Sequence, residues 1–268
     1  MTVQILATGS GGNCVLVDGK ILIDAGISVK LFQSYGIMPE QLSALIITHR
    51  HGDHMKTPLV RYLLNAGVKA YLPSEVIGEL TKEGKIDLTP LLAGKQIERI
   101  LPETEYEAGG IRIKAYPQKH HDIVNYAFVL TKGQKRLLYA TDLDTLEPSD
   151  TGVGLLHLGQ FDTLLLEGNY DEPYLRAYIE YMISLVPEAE DPRKSSDDAL
   201  EQWVKQHYRS LPDEIARNAF RAIQNHRHLS KQQARAYALT HLKPGGSYYE
   251  IHRSSQFYEE PEGWRDAL

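Results

Sequence analysis

The sequence has almost no cysteine and no long apolar run. Cys14 is the single cysteine among 268 residues, which excludes an internal disulfide framework and agrees with a reducing compartment. No apolar stretch approaches the roughly 18 residues that a membrane span requires, and the chain does not begin with a cationic segment followed by an apolar one. We therefore expect a cytoplasmic protein without a membrane partner.

The chain also lacks an excess of positive charge and any extended polar tract. Its formal net charge is −6, which argues against a protein that coats nucleic acid through bulk charge but is compatible with a local basic surface. A hydrophobic content of 42% is enough for a substantial core. We expect a single domain over residues 1–268, with a helical insertion at about 170–227.

The N-terminal half alternates between short strands and turns. Asp18-Gly19 lies between two β-rich runs and predicts a hairpin, because a type I′ turn needs positive φ at both central positions. Ala44 to Thr48 is an apolar strand candidate. Thr57 is predicted as the N-cap, with Pro58 at the first helical position, of a helix through about Asn65. Further strands are predicted at Ile111–Tyr116, Tyr126–Leu130, Arg136–Ala140 and Phe161–Glu167.

The C-terminal part has helical periodicity. Glu172 to Val186 and Pro212 to Gln224 predict two helices of the insertion. Ser230 and Gln233 form a capping box, in which each side chain satisfies the backbone N–H of the other residue. The helix that follows this box should end just before His241.

Four potential metal ligands follow the strand predicted at Ala44–Thr48. The segment from His49 to His54 carries ligand-type side chains at four of six positions, in a loop between a strand and a helix. A solvated polar loop is the simpler interpretation, but this density of ligands favours metal binding. Alternate side chains can point at two neighbouring ions, His49 and His51 at one and Asp53 and His54 at the other.

Two ions need ligands from elsewhere in the chain. Imidazole and carboxylate suit zinc, manganese or iron, and a catalytic ion keeps a position open for water or substrate. Three later segments place histidine or aspartate at the end of a strand-like or helix-like run: Lys119-His120-His121-Asp122, Tyr139-Ala-Thr-Asp142 and Leu239-Thr-His241.

These motifs together resemble the metallo-β-lactamase superfamily. Thr48-His49-x-His51-x-Asp53-His54, followed by separate histidine and aspartate motifs, is similar to its metal-binding pattern, and Ile21-Leu-Ile-Asp-Ala-Gly26 is similar to its early strand and aspartate. Ala7-Thr-Gly-Ser-Gly-Gly-Asn-Cys14 resembles the opening of a branch of small bacterial and phage proteins related to WalJ-type 5′-exonucleases. The resemblance implies an α+β fold, a four-layer αββα sandwich with a binuclear metal centre along one edge.

The resemblance also implies a ligand for each position of that centre. One ion would be held by His49, His51 and His121, the other by Asp53, His54 and His241, with Asp142 bridging the two and Asp24 behind them. Adjacent side chains on a strand point to opposite faces, so only one of His120 and His121 should reach the metals. The branch's histidine is typically followed by aspartate, as in His121-Asp122, so we assign His121.

The function implied is metal-dependent hydrolysis. Two divalent ions, zinc or manganese, would generate a metal-bound hydroxide and neutralise charge on the scissile group. Asp53 would act in catalysis through its metal, and His228 is a candidate proton donor to a leaving oxygen, with a helix-capping role as the alternative. The tail segment His252-Arg-Ser-Ser255 could add anion contacts.

One stretch of the sequence bears on the substrate. From Ile215 to Lys243 there is no acidic residue but there are six cations: Arg217, Arg221, Arg227, Lys231, Arg235 and Lys243. A solvated helix face would explain an isolated run, but beside a metal site phosphate binding is favoured, which predicts a phosphodiesterase or nuclease with a nucleic-acid partner. The alternatives are a hydrolase of small thioesters, lactones or cyclic nucleotides, and a metal-bound binding protein without catalysis.

Overall fold

A computed structural model gives the fold. It describes residues 1–84, 87–121, 123–148, 150, 152–186 and 196–258. The strands within these ranges form two six-stranded sheets, in the orders β1-β2-β3-β4-β5-β6 and β12-β11-β10-β9-β8-β7. No helix of the described residues is long and apolar enough to cross a membrane.

The first sheet is antiparallel at one edge and parallel at the other. Strands β1 to β3 form an antiparallel meander, and β3 to β6 run parallel. Helices follow the parallel strands as crossover connections, as the right-handed βαβ arrangement requires. The elements are β1 Val3–Ala7, β2 Cys14–Val17, β3 Ile21–Ile23, α1 Val29–Ser34, β4 Ala44–Ile46, α2 Thr57–Asn65, β5 Ala70–Leu72, α3 Ser74–Gly84, α4 Thr89–Ala93 and β6 Ile97–Arg99.

The second sheet has the same mixed character. Strands β7 to β10 are antiparallel, whereas β10, β11 and β12 run parallel. Its elements are β7 Glu105–Ala108, β8 Ile111–His120, β9 Ile123–Lys132, β10 Lys135–Ala140, β11 Phe161–Glu167, α5 Glu172–Ser184, α6 Asp197–His207, α7 Asp213–His226, α8 Lys231–His241 and β12 Leu242–Ile251.

The two sheets pack face to face between two layers of helices. The buried cluster between them joins Ile23 and Ile46 of the first sheet to Phe128 and Leu165 of the second. Helices α1 to α3 bury their apolar faces against the outer side of the first sheet, and α8 covers the outer side of the second. The predicted αββα sandwich is confirmed, because each sheet buries one face on its partner and the other under helices.

Helices α5, α6 and α7 form a separate cluster within the region predicted as a helical insertion. Leu175, Trp203, Val204 and Ile223 are buried there, together with Phe257 from the C-terminal segment. Residues 187–195 of the predicted insertion lie outside the described residues, as do residues 259–268 of the predicted domain.

Several local predictions are confirmed. Asp18 and Gly19 both have positive φ, 52° and 64°, and Val17 pairs with Ile21 across the turn. Ser230 and Gln233 form the predicted capping box of α8. The predicted helix at Thr57 also begins there, with Pro58 in its first turn. Two helix ends differ from the prediction. The N-cap of α2 is Lys56 rather than Thr57, and α8 includes His241 as its last residue instead of ending before it.

The strand directions bring several chain segments to one edge of the sandwich. Strands β3 and β4 run in one direction, and pairing through β9 places β8 in the same direction as β10, β11 and β12. The carboxyl ends of parallel strands meet at one edge, which is where open α/β sheets place their binding sites. Asp24, His49, His120, Asp142, Glu167 and His252 each lie at or just after such an end.

Candidate metal centre

The loop after β4 is held by close backbone contacts with the first hairpin. The Asn13 backbone N–H donates to the Asp53 carbonyl oxygen over 2.6 Å, and Ala25 donates to the His54 carbonyl over 2.8 Å. A Cβ on Gly26 would lie 1.7 Å from the Asp53 oxygen, so only glycine permits this approach. The predicted loop therefore packs directly on the Ala7–Cys14 segment and does not extend into solvent.

A first cluster of imidazoles forms between this loop and the end of β8. Ligand atoms of His49, His51 and His120 all lie within 4.8 Å of one another. His49 is fully buried, and its Nε2 has no hydrogen-bond partner among the described residues. Since a buried polar atom is rarely left unpaired, this nitrogen needs a partner that protein atoms do not supply.

A second cluster lies beside the first. It contains Asp53, His54 and His252, again with ligand atoms within 4.8 Å of one another. His252 Nε2 and His54 Nε2 each lie 3.4 Å from Asp53 Oδ2. Two of its members come from the loop after β4 in the first sheet, and the third follows β12 in the second sheet.

Asp142 lies between the two clusters. Its Oδ2 is 2.7 Å from His54 Nε2, 3.3 Å from His252 Nδ1 and 3.8 Å from His49 Nε2. Its Oδ1 is 3.6 Å from His120 Nε2. One carboxylate therefore contacts imidazoles of both clusters. Its Oδ1 faces His120, and its Oδ2 faces His49, His54 and His252.

The crowding of these groups shifts their pKa values. Burial and the neighbouring His54 lower the pKa of His49 well below its usual range, so its ring is neutral, the form that binds a metal. Burial would raise the pKa of Asp142, but His252 and His54 outweigh it and lower that pKa well below its usual range. A neutral His49 with an unpaired Nε2, beside the ionised carboxylate of Asp142, fits a divalent metal centre.

Buried Asp24 orients the second cluster from behind. It accepts hydrogen bonds from the Thr48 backbone N–H over 2.8 Å and from the Thr48 hydroxyl over 2.9 Å, and its Oδ2 lies 2.8 Å from His54 Nδ1. A carboxylate on one ring nitrogen fixes the orientation of the imidazole and leaves the other nitrogen free for a metal. Asp24 thus lies where the sequence predicted it, behind the ligands.

Glu167 orients the opposite side of the centre. Its carboxylate accepts from the backbone N–H groups of Asp142 and Leu143, each over 2.7 Å, and from that of Leu229 over 3.0 Å. Its Oε2 is 3.2 Å from His228 Nδ1. One buried side chain therefore fixes both the central carboxylate and His228.

His228 is held among carboxylates at the side of the centre. Burial alone would lower the pKa of its imidazole, but Glu167, Asp142 and Asp144 outweigh this effect and raise the pKa to about 9. Its Nδ1 faces Glu167, which leaves Nε2 as the remaining polar atom of the ring. The side-chain cap of α8 is Ser230 and not His228.

A cavity of about 570 Å³ opens on the two clusters. Its volume lies in the range of pockets that hold small organic ligands. Metal-ligand candidates form one side, and residues of α7 and of the C-terminal segment form much of the rest. The lining residues are Ser10, His51, Asp53, His120, His121, Asp142, Asn169, Arg221, Gln224, Asn225, His228, His252, Ser254, Ser255 and Gln256.

The sequence matches a known family over most of its length. Residues 20–241 match the family described as "Beta-lactamase superfamily domain". The chain belongs to the β-lactamase superfamily. This assignment agrees with the resemblance seen in the histidine and aspartate motifs.

Two curated relatives are named exodeoxyribonucleases. Exodeoxyribonuclease WalJ of Streptococcus pneumoniae serotype 2 is 28% identical over 184 residues, which cover 65% of this chain and 64% of the relative. Exodeoxyribonuclease YycJ of Bacillus anthracis is 39% identical over 60 residues, 20% of this chain and 23% of the relative. The matched region spans less than two thirds of either relative.

A solved structure of similar fold aligns with almost the whole chain. Human tRNase Z, short form, aligns with a TM-score of 0.58 over 99% of this chain and 98% of its own, at 17% sequence identity. At this identity the likeness supports the fold alone.

The structure brings His120, rather than the predicted His121, to the first cluster. His120 is the last residue of β8 and is buried, whereas His121 is half-exposed at the cavity rim. His121 has a left-handed backbone, φ 53°, and its N–H points at the Asp144 carboxylate, 3.2 Å from Oδ2. The turn carries its ring away from His49 and His51, and no group of potential ligands among the described residues joins it to them. Asp122, which suggested His121, lies outside the described residues.

The structure also separates His241 from the other predicted superfamily ligands. His241 ends α8, where its ring stacks on Tyr237 at 3.9 Å and its Nε2 lies 2.8 Å from the Leu156 carbonyl oxygen. The second cluster contains His252 instead, because β12 carries the chain back along β11 to the edge of the sheet. A signal for this existed in the sequence: His252 follows an apolar strand end, as Asp142 does.

Most of the predicted basic run is neutralised by carboxylates from distant segments. Arg227 pairs with Glu201, Lys231 with Asp171 at 3.1 Å, Arg235 with Glu250 at 3.4 Å and Lys243 with Asp162 at 2.8 Å. Arg221 is the member of the run that lines the cavity. Within the described residues the run therefore does not form a continuous basic surface, because acids from other parts of the sequence pair with it.

Two further residues of the site were not singled out in the sequence. Asn13 Nδ2 lies 2.9 Å from His54 Nε2 and 3.4 Å from Asp53 Oδ2, so the glycine-rich segment touches the second cluster directly. Asp144 lies 3.6 Å from His120 Nδ1 and supports the imidazole of the first cluster. No spacing rule connects either residue to the histidine motif, since each follows a different strand.

Proposed function

We propose that this chain is a metal-dependent hydrolase of phosphodiester bonds, with nucleic acid as its substrate class and two divalent ions, zinc or manganese, in its centre. The observation that carries the proposal is the pair of ligand clusters joined by Asp142 at the base of a cavity. Seven ligand-type side chains are more than one tetrahedral ion can use. Their arrangement suits two neighbouring ions that share one carboxylate.

The ligands in this proposal follow the geometry of the clusters. His49, His51 and His120 would hold one ion, Asp53, His54 and His252 the other, and Asp142 both. When bound, two such ions would lower the pKa of water towards neutrality and neutralise charge that develops on the scissile group. Asp24, Glu167 and Asp144 keep the ligands oriented, and Asp53 contributes to catalysis as a ligand that faces the cavity.

His228 is the proposed donor to the leaving oxygen. It lines the cavity beside Asp142, with Nδ1 fixed by Glu167 and Nε2 left for the substrate. An imidazole held in this way can donate a hydrogen bond or a proton to an oxygen on which negative charge develops. This role requires a fixed position of the His228 ring. The buried Glu167 provides it, because its carboxylate contacts His228 Nδ1 and also accepts a hydrogen bond from the Leu229 backbone N–H.

The substrate class rests on two further points. Two relatives are named exodeoxyribonucleases, and the cavity presents Arg221 on the wall contributed by α7. Arginine recognises phosphate through paired hydrogen bonds from its planar guanidinium group. Four of the five other cations of the run pair with carboxylates. This pairing favours contact with few phosphates over binding along a long charged surface. It also keeps a small phosphodiester, such as a cyclic nucleotide, as a second candidate substrate.

The test is a comparison of substrates under defined metals. We would incubate the zinc- and manganese-loaded protein with end-labelled DNA and RNA, a cyclic nucleotide, and thioester and lactone panels. Degradation of the labelled strands that is lost in Asp142→Asn supports the proposal. Turnover of thioesters or lactones alone would replace it, and metal binding without any turnover would leave a non-catalytic binding protein.

A further inference from the structure

The cavity wall opposite the metal-ligand clusters is built by one turn of α7. Arg221 and Asn225 are four residues apart and both line the cavity, so they lie on one face of the helix. The opposite face, with Ala219, Ala222 and Ile223, is buried in the packing of the insertion. This packing gives the wall a fixed position relative to the sandwich.

Arg221 is a cation with no acidic partner in the part of the chain that the structure describes. No carboxylate among the described residues forms an ion pair with it, in contrast with Arg227, Lys231, Arg235 and Lys243 of the same run. Because four cations of the run are each paired with an acid, the absence of such a partner for Arg221 at the cavity favours a role in binding. Its guanidinium group is available to an anion in the cavity.

Asn225 supplies a second unused donor beside it. Its Nδ2 is buried and has no hydrogen-bond partner among the described residues. Its backbone oxygen accepts from the His228 N–H over 3.0 Å, which ties this wall to the histidine next to Asp142. Buried donors are rarely left unsatisfied, so a ligand that accepts hydrogen bonds here would complete the site.

We propose that Arg221 and Asn225 form a second phosphate subsite, which holds the phosphate group adjacent to the scissile one in a nucleic-acid strand. The inference rests on the proposed phosphodiesterase function and adds a specific requirement to it. Adjacent phosphates flank a single nucleoside, and the cavity of about 570 Å³ has room for an organic unit between its two sides. The unpaired acceptors Asn169 Oδ1 and Gln256 Oε1, both in residues of the cavity lining, suit hydroxyl or amino groups of that nucleoside.

The chemistry of the wall favours phosphate over other anions. A guanidinium group with an adjacent amide N–H₂ offers several donors in a fixed arrangement, which matches the several acceptor oxygens of a phosphate. The opposite side of the cavity carries Asp53 and Asp142, where the metals would take the other phosphate. The substrate would therefore be recognised by two phosphates at opposite sides of one cavity.

Thymidine 3′,5′-bisphosphate and thymidine 5′-monophosphate are the probes for this subsite. Neither contains a phosphodiester bond, so binding to the metal-loaded protein can be measured by calorimetry without the proposed reaction. The variants are Arg221→Gln and Arg221→Lys. The matched control is Arg217→Gln, which removes an exposed cation one turn earlier on α7, outside the cavity lining.

We expect the wild type to bind the bisphosphate at least about tenfold more tightly than the monophosphate, as one charge-assisted phosphate contact implies. Arg221→Gln should remove this preference and leave monophosphate binding unchanged, Arg221→Lys should keep part of it, and Arg217→Gln should keep all of it. If Arg217→Gln and Arg221→Gln lost equal amounts of bisphosphate affinity, the cause would be a long-range charge effect, and the subsite would be wrong. The subsite would also be wrong if Arg221→Gln weakened the binding of both probes equally, or if the wild type did not prefer the bisphosphate.

Failure of the subsite is distinguishable from failure of the proposed function. A protein that degrades labelled strands but shows no effect of Arg221→Gln on bisphosphate binding retains the phosphodiesterase function without this subsite. A protein that prefers the bisphosphate through Arg221 but cleaves no phosphodiester retains the subsite as a binding site, and the hydrolytic function is then wrong.

Discussion

The Tyr139 hydroxyl of the second sheet donates a hydrogen bond over 3.0 Å to Asp24 Oδ2 of the first sheet. Both side chains are completely buried, and Asp24 also holds Thr48 and contacts His54. The hydrogen bond therefore joins the two sheets directly beneath the candidate metal centre. Burial and Asp24 together raise the pKa of Tyr139 well above its usual range, so the hydroxyl stays a donor at any physiological pH.

Tyr139→Phe should weaken both the fold and the centre. Loss of one hydrogen bond to a buried carboxylate should lower the free energy of unfolding by about 1–2 kcal/mol. Because Asp24 orients His54, zinc affinity should fall severalfold as well. The control is Tyr237→Phe, whose hydroxyl donates to Leu155 away from the centre. Urea unfolding should show a comparable loss in both variants, and competitive zinc titration a loss in Tyr139→Phe alone.

The adjacent histidines at the end of β8 provide a matched pair. His120→Ala should reduce zinc affinity by about tenfold or more, since it removes a ring within reach of His49, His51 and Asp142. His121→Ala should bind zinc nearly as the wild type does, because its ring lies at the rim. Elemental analysis after dialysis against a weak chelator would measure this, and a larger loss in His121→Ala would reverse the assignment.

The two candidate histidines near the C-terminus form a second pair. His252→Ala should leave the protein with about one tightly bound ion instead of two, because it removes a member of the cluster with Asp53 and His54. His241→Ala should keep the metal content of the wild type and lose the packing of its ring on Tyr237 and the contact with the Leu156 carbonyl oxygen. Metal stoichiometry of the purified variants is the measurement, and equal stoichiometry would argue against the second cluster.

Gly26→Ala should disrupt the loop that carries the first ligands. Its Cβ would overlap the Asp53 carbonyl group at 1.7 Å, so the backbone must move, and a loss of at least about 2 kcal/mol in unfolding free energy is expected. Gly11→Ala is the control, since nothing lies within 4 Å of its added Cβ. Thermal unfolding with and without zinc should distinguish the two; a wild-type melting temperature in Gly26→Ala would contradict the packing described.

Asp162 should make stability depend on pH in the acid range. Burial would raise its pKa, but hydrogen bonds from Lys243, the Arg136 backbone and Lys135 outweigh this and lower it. A carboxyl with a lower pKa in the folded state stabilises the protein above the unfolded value of about 3.9 and loses that contribution as the pH falls. Asp162→Asn should therefore be less stable than the wild type at pH 7, and the difference in urea midpoints should shrink below about pH 4. A constant difference across this range would exclude the assigned role.

The sequence alone determined the features that depend on neighbouring residues. The hairpin at Asp18-Gly19 requires positive φ at two adjacent positions, and the capping box of α8 needs only Ser230 and Gln233. The ligand motif from His49 to His54 lies in one loop, so its density was visible without any knowledge of the fold. The order of the motifs then indicated the family and hence the αββα sandwich.

Only the tertiary structure decided which side chains complete the centre. Asp24, His121, Asp142 and His252 all have left-handed backbone conformations at strand ends, with φ between 53° and 62°. Such conformations are rare for non-glycine residues and change where a side chain points, so strand alternation could not choose between His120 and His121. The choice of His252 over His241 depended on the parallel pairing of β12 with β11. Four cations of the basic run pair with acids that lie outside the run, so their charge could not be judged from the run itself. Contacts between such separate segments are fixed by packing and not by local sequence.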